Sequence, residues 1–337
     1  MSDRDRLLEI VDAFGAARVV MYGDLVLDRF VLGTPKRISR EAPVIILSHE
    51  GERDVPGGGA NALANLAALD VLTVPVGAVG DDVHGRALVG VLTDSGIDTS
   101  GIVTVPGFRT PTKVRILGGG PSSLKHQIAR YDIEDRLPAD GAWRDRLTER
   151  LTEAREGLGA VAVSDYGYGT VQPDLLGRAF GGAPPPPWIC GDSRRRIDTL
   201  GAVHAATPNL QELEESVGRP LSSDDDVVAA AARLRAALGA RFVLATRGNR
   251  GMTLVEEAAE PRHLPVFGTD QVADVTGAGD TVLAVLTAAL AVGASPLEAA
   301  RLANYGGGVV VMKLGTATVN RDELRAAIRQ DRDGGTG

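Results

Sequence analysis

The sequence predicts an α/β fold: a mostly parallel β-sheet layered between helices, with a small separate β-sheet beside it. Two observations carry this. From about Trp143 the chain alternates regularly between strand and helix signals, the pattern of a parallel sheet covered on both faces. Before that point, strand-like segments at 27–32, 44–48 and 112–117 break the alternation and suit a second, smaller sheet.

In chain order, Val19 to Tyr22 followed by Gly23-Asp24 reads as a buried strand ending in a polar turn. Gly57-Gly58-Gly59 opens a helix with an Ala/Leu face reaching Leu69. Val74 to Val79 is a strand and Asp82 to Ser95 a helix, and Ile102 to Val105 and Gln127 to Tyr131 are strand-like. Helix 143–156 precedes strand Ala160 to Ser164, and another helix starts at Pro173. Ala183 to Pro187 is a stiff polyproline connector, followed by the short strand Trp188 to Cys190. Val203 to Ala206 is a strand, and Pro208-Asn209 opens a helix with proline near its first turn. Helix 224–238 leads to strand Phe242 to Thr246, and strands 253–255 and 263–266 follow. Helices close the chain at about 278–292, 296–311 and 321–330. The expected organisation is one domain over residues 1–337, with lid strands inserted at about 27–50 and 110–132.

Composition bounds the function. The 337 residues carry a net charge of −8, which argues against nucleic-acid binding through a global positive field. Hydrophobic residues at 44% suffice for a core. The single cysteine, Cys190, excludes an internal disulfide, a multi-cysteine zinc site and a CxxC redox pair. The charged N-terminus has no apolar signal core. The most apolar helical stretch, Thr281 to Ala294, is shorter than the ~20 residues a membrane span needs. The expectation is a cytoplasmic protein without membrane or nucleic-acid partners. No Walker A, HExxH or GxSxG sequence occurs, and the five histidines show no metal-like spacing.

The strongest chemical signal is Asp274-Val275-Thr276-Gly277-Ala278-Gly279-Asp280 directly before an apolar helix. Small residues at a helix N-terminus make an anion site from free N–H groups and the helix dipole. An aspartate there repels phosphate, which makes sense if Asp280 takes a proton from a hydroxyl attacking that phosphate. An ordinary capped turn is the competing reading. Asn209 and Glu212, three apart, share one face of a first helical turn, suiting either a capping arrangement or water-mediated Mg²⁺ near phosphates. Thr246 to Gly251 is a glycine turn at a strand's carboxyl end, where α/β sheets bind ligands. Asp24 and Asp28, with Pro56 to Asn61, place carboxylates and an amide near glycine-exposed backbone, which suits a polyhydroxylated ligand or a plain capped turn.

Taken in this order, these signals resemble the ribokinase/PfkB family of carbohydrate kinases over about residues 18 to 328. The segment DVTGAGD is highly specific to that family. The resemblance implies a ribokinase-like three-layer α/β/α core with a β lid, ATP as donor, Mg²⁺, and a sugar hydroxyl as acceptor. A branch within the family, the heptose-7-phosphate kinases, is similar in finer detail. Arg37 to Val44 resembles its RISPEAPV with Arg40 for proline, and Pro56 to Asn65 its PGGAANVAxN. Thr112 to Arg115 resembles TKxR, Ser164 to Gly167 resembles SDYG, and Lys313 to Thr316 resembles part of GKLGT. Two positions depart: Tyr168 stands where that branch has lysine after SDYG, and its DPKG appears as Asp192-Ser193-Arg194-Arg195. Arg194 or Arg195 can substitute for the lost lysine only with different geometry.

The resemblance implies these roles. Asp280 is the base, and the amides of Gly277, Ala278 and Gly279 hold the transferring phosphoryl group. Asn209 and Glu212 organise Mg²⁺, with Glu212 acting through water. Thr246, Gly248, Gly251 and Asn304 contact the nucleotide. Asp24, Asp28, Gly58, Gly59, Asn61 and Asn65 hold sugar hydroxyls. Arg37, Lys113, Arg115 and Arg130 grip a phosphate already on the sugar. A monovalent cation, K⁺, is expected near Asp274 and the loop after Val311. The branch is often fused to a nucleotidyltransferase domain, and with Gly337 ending this sequence the expectation is phosphorylation without adenylylation. The expected reaction converts D-glycero-D-manno-heptose 7-phosphate to the 1,7-bisphosphate, in a homodimer built through the lid. Fructokinase and ribokinase types are the alternative enzymes, and 4% aromatic content makes a nucleoside kinase least favoured. A non-catalytic sugar or nucleotide sensor is the alternative of another class, against which the intact Asp280 and glycine loop speak.

Overall fold

The computed structural model describes residues 2–120, 125–180, 186, 188–201, 203–268, 274–313 and 315–331. Helix α1 (Asp3–Asp12) leads into β1 (Arg18–Gly23), then the long hairpin β2 (Leu25–Ile38) and β3 (Ile45–Gly58). Next come α2 (Gly59–Ala68), β4 (Leu72–Gly80), α3 (Val83–Asp94), β5 (Ile102–Val105), β6 (Thr112–Gly118) and β7 (His126–Ile133). The alternating part runs α4 (Ala142–Glu153), β8 (Ala160–Asp165), α5 (Pro173–Phe180), β9 (Trp188–Ser193), β10 (Ala205–Ala206), α6 (Leu210–Val217) and α7 (Asp224–Leu238). The chain finishes with β11 (Phe242–Thr246), β12 (Met252–Glu256), β13 (Arg262–Leu264), α8 (Ala278–Ala291), α9 (Pro296–Val310) and α10 (Arg321–Gln330).

The larger sheet has the order β13-β12-β11-β10-β9-β8-β1-β4-β5. It is parallel from β11 to β5, and β12 and β13 are added antiparallel. Alternation in β1 sends Val19 and Met21 into one helical layer and Val20 and Tyr22 into the other, as period-two side chains must. Ala160 and Ala162 of β8 join the first layer, and Val161 and Val163 the second. The expected three-layer arrangement is therefore present. β1 lies between β8 and β4, the point where strand order reverses and ligands enter at carboxyl ends.

The smaller sheet has the order β3-β2-β6-β7. Its register sets Asp28 beside Lys113, Lys113 beside Asp132, and Arg115 beside Arg130, so these charges share one face. The lid is larger than the sequence suggested. β2 and β3 have 14 residues each, and β3 runs through Gly57 and Gly58, so only Gly59 opens α2. The apolar–polar alternation that marks a half-buried strand fades toward the hairpin tip, where both faces are exposed.

Other boundaries shift for local reasons. Asn209, not Pro208, caps α6, and proline precedes the cap. The strand expected at 203–206 pairs only through Ala205 and Ala206, and the one at 263–266 becomes Arg262–Leu264. The polyproline connector, apart from Pro186, and Leu314 of the GKLGT-like segment lie outside the described residues. Thr281 to Leu290 is buried along its length within α8, and among the described residues no helix is long and apolar enough to cross a membrane.

Candidate active site

The DVTGAGD segment turns into α8 at Gly277, the N-cap, with φ +81°. A side chain there would be strained by that φ, and its Cβ would sit 2.5 Å from the Asn61 amide nitrogen. Ala278 N–H turns to the Val275 carbonyl (3.3 Å), and Thr281 N–H closes onto Gly277 (3.1 Å). Asp280 follows in the first turn with only 3% of its surface exposed. Its Oδ2 accepts from Asn61 Nδ2 (2.9 Å) and its Oδ1 from the Tyr166 hydroxyl (2.9 Å). Burial pushes this carboxyl up to about 6, against the pull of those two donors and of the Arg194 charge. A carboxylate that binds protons near 6 is suited to take one at neutral pH.

Asp280 lies in the wall of a cavity of about 640 Å³. On one side stand Asn209, Glu212, Thr246 and Gly248. The Thr246 amide donates to Pro208 O (2.9 Å), which sets the two segments side by side. On the lid side stand Asp28, Gly58, Lys113, Arg115 and Arg130. Asp28 meets Arg115 (3.4 Å) and Thr316 Oγ1 (3.3 Å), and burial raises its pKa against those partners. Lys113 is buried, which lowers its pKa, and Arg130 and Arg194 nearby lower it further.

Two further cavities adjoin. One of about 190 Å³ is mainly apolar and lined by Thr246, Gly248, Gly251, Ala278, Gly279 and Asn304, among others. Gly251 is required there: its φ is +75°, and a Cβ would meet Leu264 O at 2.0 Å. The other, about 660 Å³, shares Lys113, Arg130, Tyr166 and Arg194 with the main cavity and adds Tyr168, Arg195 and Arg196. Tyr168, where lysine was expected, donates its hydroxyl to Glu134 (3.0 Å).

Several expected sugar contacts have other partners. Asp24 is buried, and its carboxylate accepts the amides of Tyr166, Tyr168 and Thr170, each at 2.9 Å. It braces the loop after β8 and does not line the cavity. Asn65 is fully buried, bonding Asn61, Thr281 and the Val319 amide. It ties α2 to α8. Gly59 lies against Met21 and the Asp24 carbonyl, where its lack of a side chain permits close packing. Asn61 reaches Asp280 and holds one oxygen of its carboxylate. Arg37 lies exposed toward the end of β2 and lines none of these cavities.

Asn209 and Glu212 form a reciprocal capping box, and they also line the cavity. Burial raises the pKa of Asp192, and the nearby Glu212 and Asp280 charges raise it further; burial raises that of Glu212 as well. Buried like charges of this kind suit a hydrated divalent cation, so the donor set fits Mg²⁺ held through water by Glu212 and Asn209. Asp274 accepts from the amides of Thr276 (2.9 Å) and Gly315 (3.2 Å), bracing the anion loop. Among the described residues no three His, Cys, Asp or Glu side chains are grouped to hold a metal.

Tyr166, Asp192 and Arg194 complete the lining: Arg194 was expected only as a stand-in for the lost lysine, and Tyr166 and Asp192 were noted within the SDYG- and DPKG-like segments without a role. Tyr166 follows β8, the strand next to β1, and Asp192 and Arg194 lie at the carboxyl end of β9, the strand beyond it; that position was the signal available.

The sequence profile of the pfkB family carbohydrate kinases matches residues 16–138 and 190–323. The chain belongs to the pfkB family. Two relatives, each called bifunctional protein HldE, come from Mesorhizobium japonicum and Nitrosococcus oceani. The first is 39% identical over 94% of this pfkB chain and the second 39% over 94%. The chain spans 62% and 64% of those relatives' own lengths. Among solved structures, Arabidopsis thaliana ribokinase with ribose and ATP superposes with a TM-score of 0.71 at 22% identity, covering 93% of this chain and 98% of that one. Escherichia coli phosphofructokinase-2 with potassium gives 0.74 at 20% identity, with the same coverages. These two matches establish the ribokinase-like fold.

Proposed function

We propose that this pfkB chain transfers the terminal phosphoryl group of ATP to a hydroxyl of a sugar phosphate, with D-glycero-D-manno-heptose 7-phosphate as acceptor and the 1,7-bisphosphate as product. The observation that carries this is Asp280: a buried carboxyl ionising near 6, between a glycine-rich helix N-terminus and the basic face of the lid. In this reading the acceptor hydroxyl gives its proton to Asp280 as its oxygen bonds to the phosphorus. The bond from phosphorus to the bridging oxygen breaks, and its electron pair leaves on ADP. The first-turn backbone around Gly277, Ala278 and Gly279 meets the charge on the transferring group. The apolar cavity beside Gly251 and Asn304 suits the purine.

Asp28 and the backbone at Gly58 face the sugar, while Lys113, Arg115 and Arg130, with Arg194, meet its phosphate. Bound Mg²⁺ would neutralise phosphate charge near Glu212 and Asn209, and K⁺ would sit by Asp274. The heptose assignment rests on the segments at 37–44, 56–65 and 164–167 and on the relatives called bifunctional protein HldE. The same reading keeps the enzyme in the cytoplasm, as one domain that pairs through its lid.

ADP release measured over a panel tests this: heptose 7-phosphate, fructose 6-phosphate, and unphosphorylated heptose, fructose and ribose. Heptose 7-phosphate should give the highest kcat/KM. A better rate with an unphosphorylated hexose would displace the heptose assignment, and ligand-dependent stabilisation without turnover of any acceptor would replace the kinase by a sensor.

A further inference from the structure

Tyr166 touches Asp280 without belonging to the glycine loop or to the basic set. Its hydroxyl donates to Asp280 Oδ1 at 2.9 Å across 114 positions of sequence. Three constraints hold the ring in place. The Tyr166 amide is bonded to buried Asp24 at 2.9 Å. The Arg194 guanidinium lies over the ring, 5.0 Å from its centroid. Gly58 backs the ring so closely that a Cβ there would lie 3.2 Å from Cε2. Asp24 thereby has a role while buried: its carboxyl fixes the loop that carries Tyr166.

We propose that Tyr166 is a positioning residue for Asp280: its hydroxyl aims the carboxylate and stabilises the ionised form, while Asn61 holds the second oxygen. The proposal rests on the kinase reading above. A carboxylate has about four lone-pair sites, so two donors leave room for the acceptor hydroxyl. The phenol remains a donor throughout the working range, because burial and then the Asp280 charge push its own pKa up. Asp280 is faced from α2 by Asn61, from the loop after β8 by Tyr166, from β9 by Asp192, from the segment after β9 by Arg194, and from β2 by Asp28. Asn61, Tyr166 and Arg194 favour its ionised form, and Asp28 opposes it. Asp192 adds a second nearby carboxyl.

Tyr166→Phe tests this, because it keeps the ring under Arg194 and removes only the oxygen. A donor to a carboxylate lowers its pKa, so its loss raises it. The acid limb of kcat/KM should move to higher pH by about one unit, a tenfold change in proton affinity. Well above that limb the base is ionised again and kcat should recover to within about tenfold of wild type, with KM for ATP unchanged. An acid limb that stays in place overturns the proposal. The wild-type enzyme separates this from the parent reading: if it turns over no sugar phosphate, the kinase assignment fails by itself. The tyrosine is then judged by the Asp280 carboxyl resonance in ¹³C NMR, assigned with Asp280→Asn. A midpoint that rises in Tyr166→Phe supports the positioning role, and an unmoved midpoint refutes it.

Discussion

At Asp280 burial and hydrogen bonding pull in opposite directions. Burial pushes the carboxyl up and the donors Asn61 and Tyr166 pull it down, which leaves it at about 6. Asp280→Asn keeps the shape and removes the base, so kcat should fall by about 10²–10⁴-fold with ATP affinity little changed. Near-normal turnover of the purified variant would remove Asp280 from the mechanism. The raised midpoint also has a stability consequence. Between the ordinary value of 3.8 and about 6, the native state keeps a proton that the unfolded chain releases. Asp280 therefore withdraws stability as pH rises through that window and leaves the native state less stable above it. Asparagine does not titrate. The Tm of Asp280→Asn relative to wild type should be higher at pH 8 than at pH 4, and an equal difference at both would show that the carboxyl is not perturbed.

Between elements, Asn65 is a junction. From α2 it accepts from Thr281 of α8 (3.1 Å) and from the Val319 amide ahead of α10 (3.2 Å), and it donates to Asn61 O (3.0 Å). Asn65→Ala leaves the Val319 amide without that partner and takes from the Thr281 hydroxyl one of its two acceptors, the other being Gly277 O at 3.3 Å. It should destabilise the fold by about 1–3 kcal/mol in urea titration. Because Asn65 does not line the cavity, KM for the sugar should change little below the melting range. A raised KM with unchanged stability would return Asn65 to the sugar site. The strand–helix alternation, the ends of α7, β5 and β11, and the position of the glycine loop at a helix start were all legible in the sequence. Their signals are local: period-two or helical spacing, caps, and glycine where φ is positive. The length of the lid hairpin was not legible, because its tip is largely exposed on both faces and carries no alternating burial pattern.

For the whole molecule, the lid is the surface that asks for a partner. Of the ten large hydrophobic side chains exposed among the described residues, Ile38, Val44, Ile45, Ile128 and Tyr131 belong to it. β7 is exposed along nearly its whole length, and an open sheet edge is a site for association unless covered. A second copy would cover it and shield the acceptor site from water. Sedimentation at micromolar concentration should give twice the chain mass of 35.1 kDa, and Ile128→Glu with Tyr131→Glu should return it to one. A wild-type monomer that turns over at full rate would refute a lid dimer.

The sequence by itself determined the layered α/β fold, the pfkB resemblance and the place of Asp280 at the start of α8, since each depends on short-range pattern and on residues adjacent in the chain. Only the tertiary structure decided which polar side chains line the cavity and which close onto protein. Asp24 and Asn65 have the chemistry of sugar contacts but close onto backbone and side chains 142 and 216 positions away. Asn61 and Tyr166 converge on one carboxylate from 219 and 114 positions away. A carboxylate or an amide accepts from water, sugar or backbone with equal readiness, so its partner is selected by what packing brings within 3 Å, and spacing along the chain does not encode that.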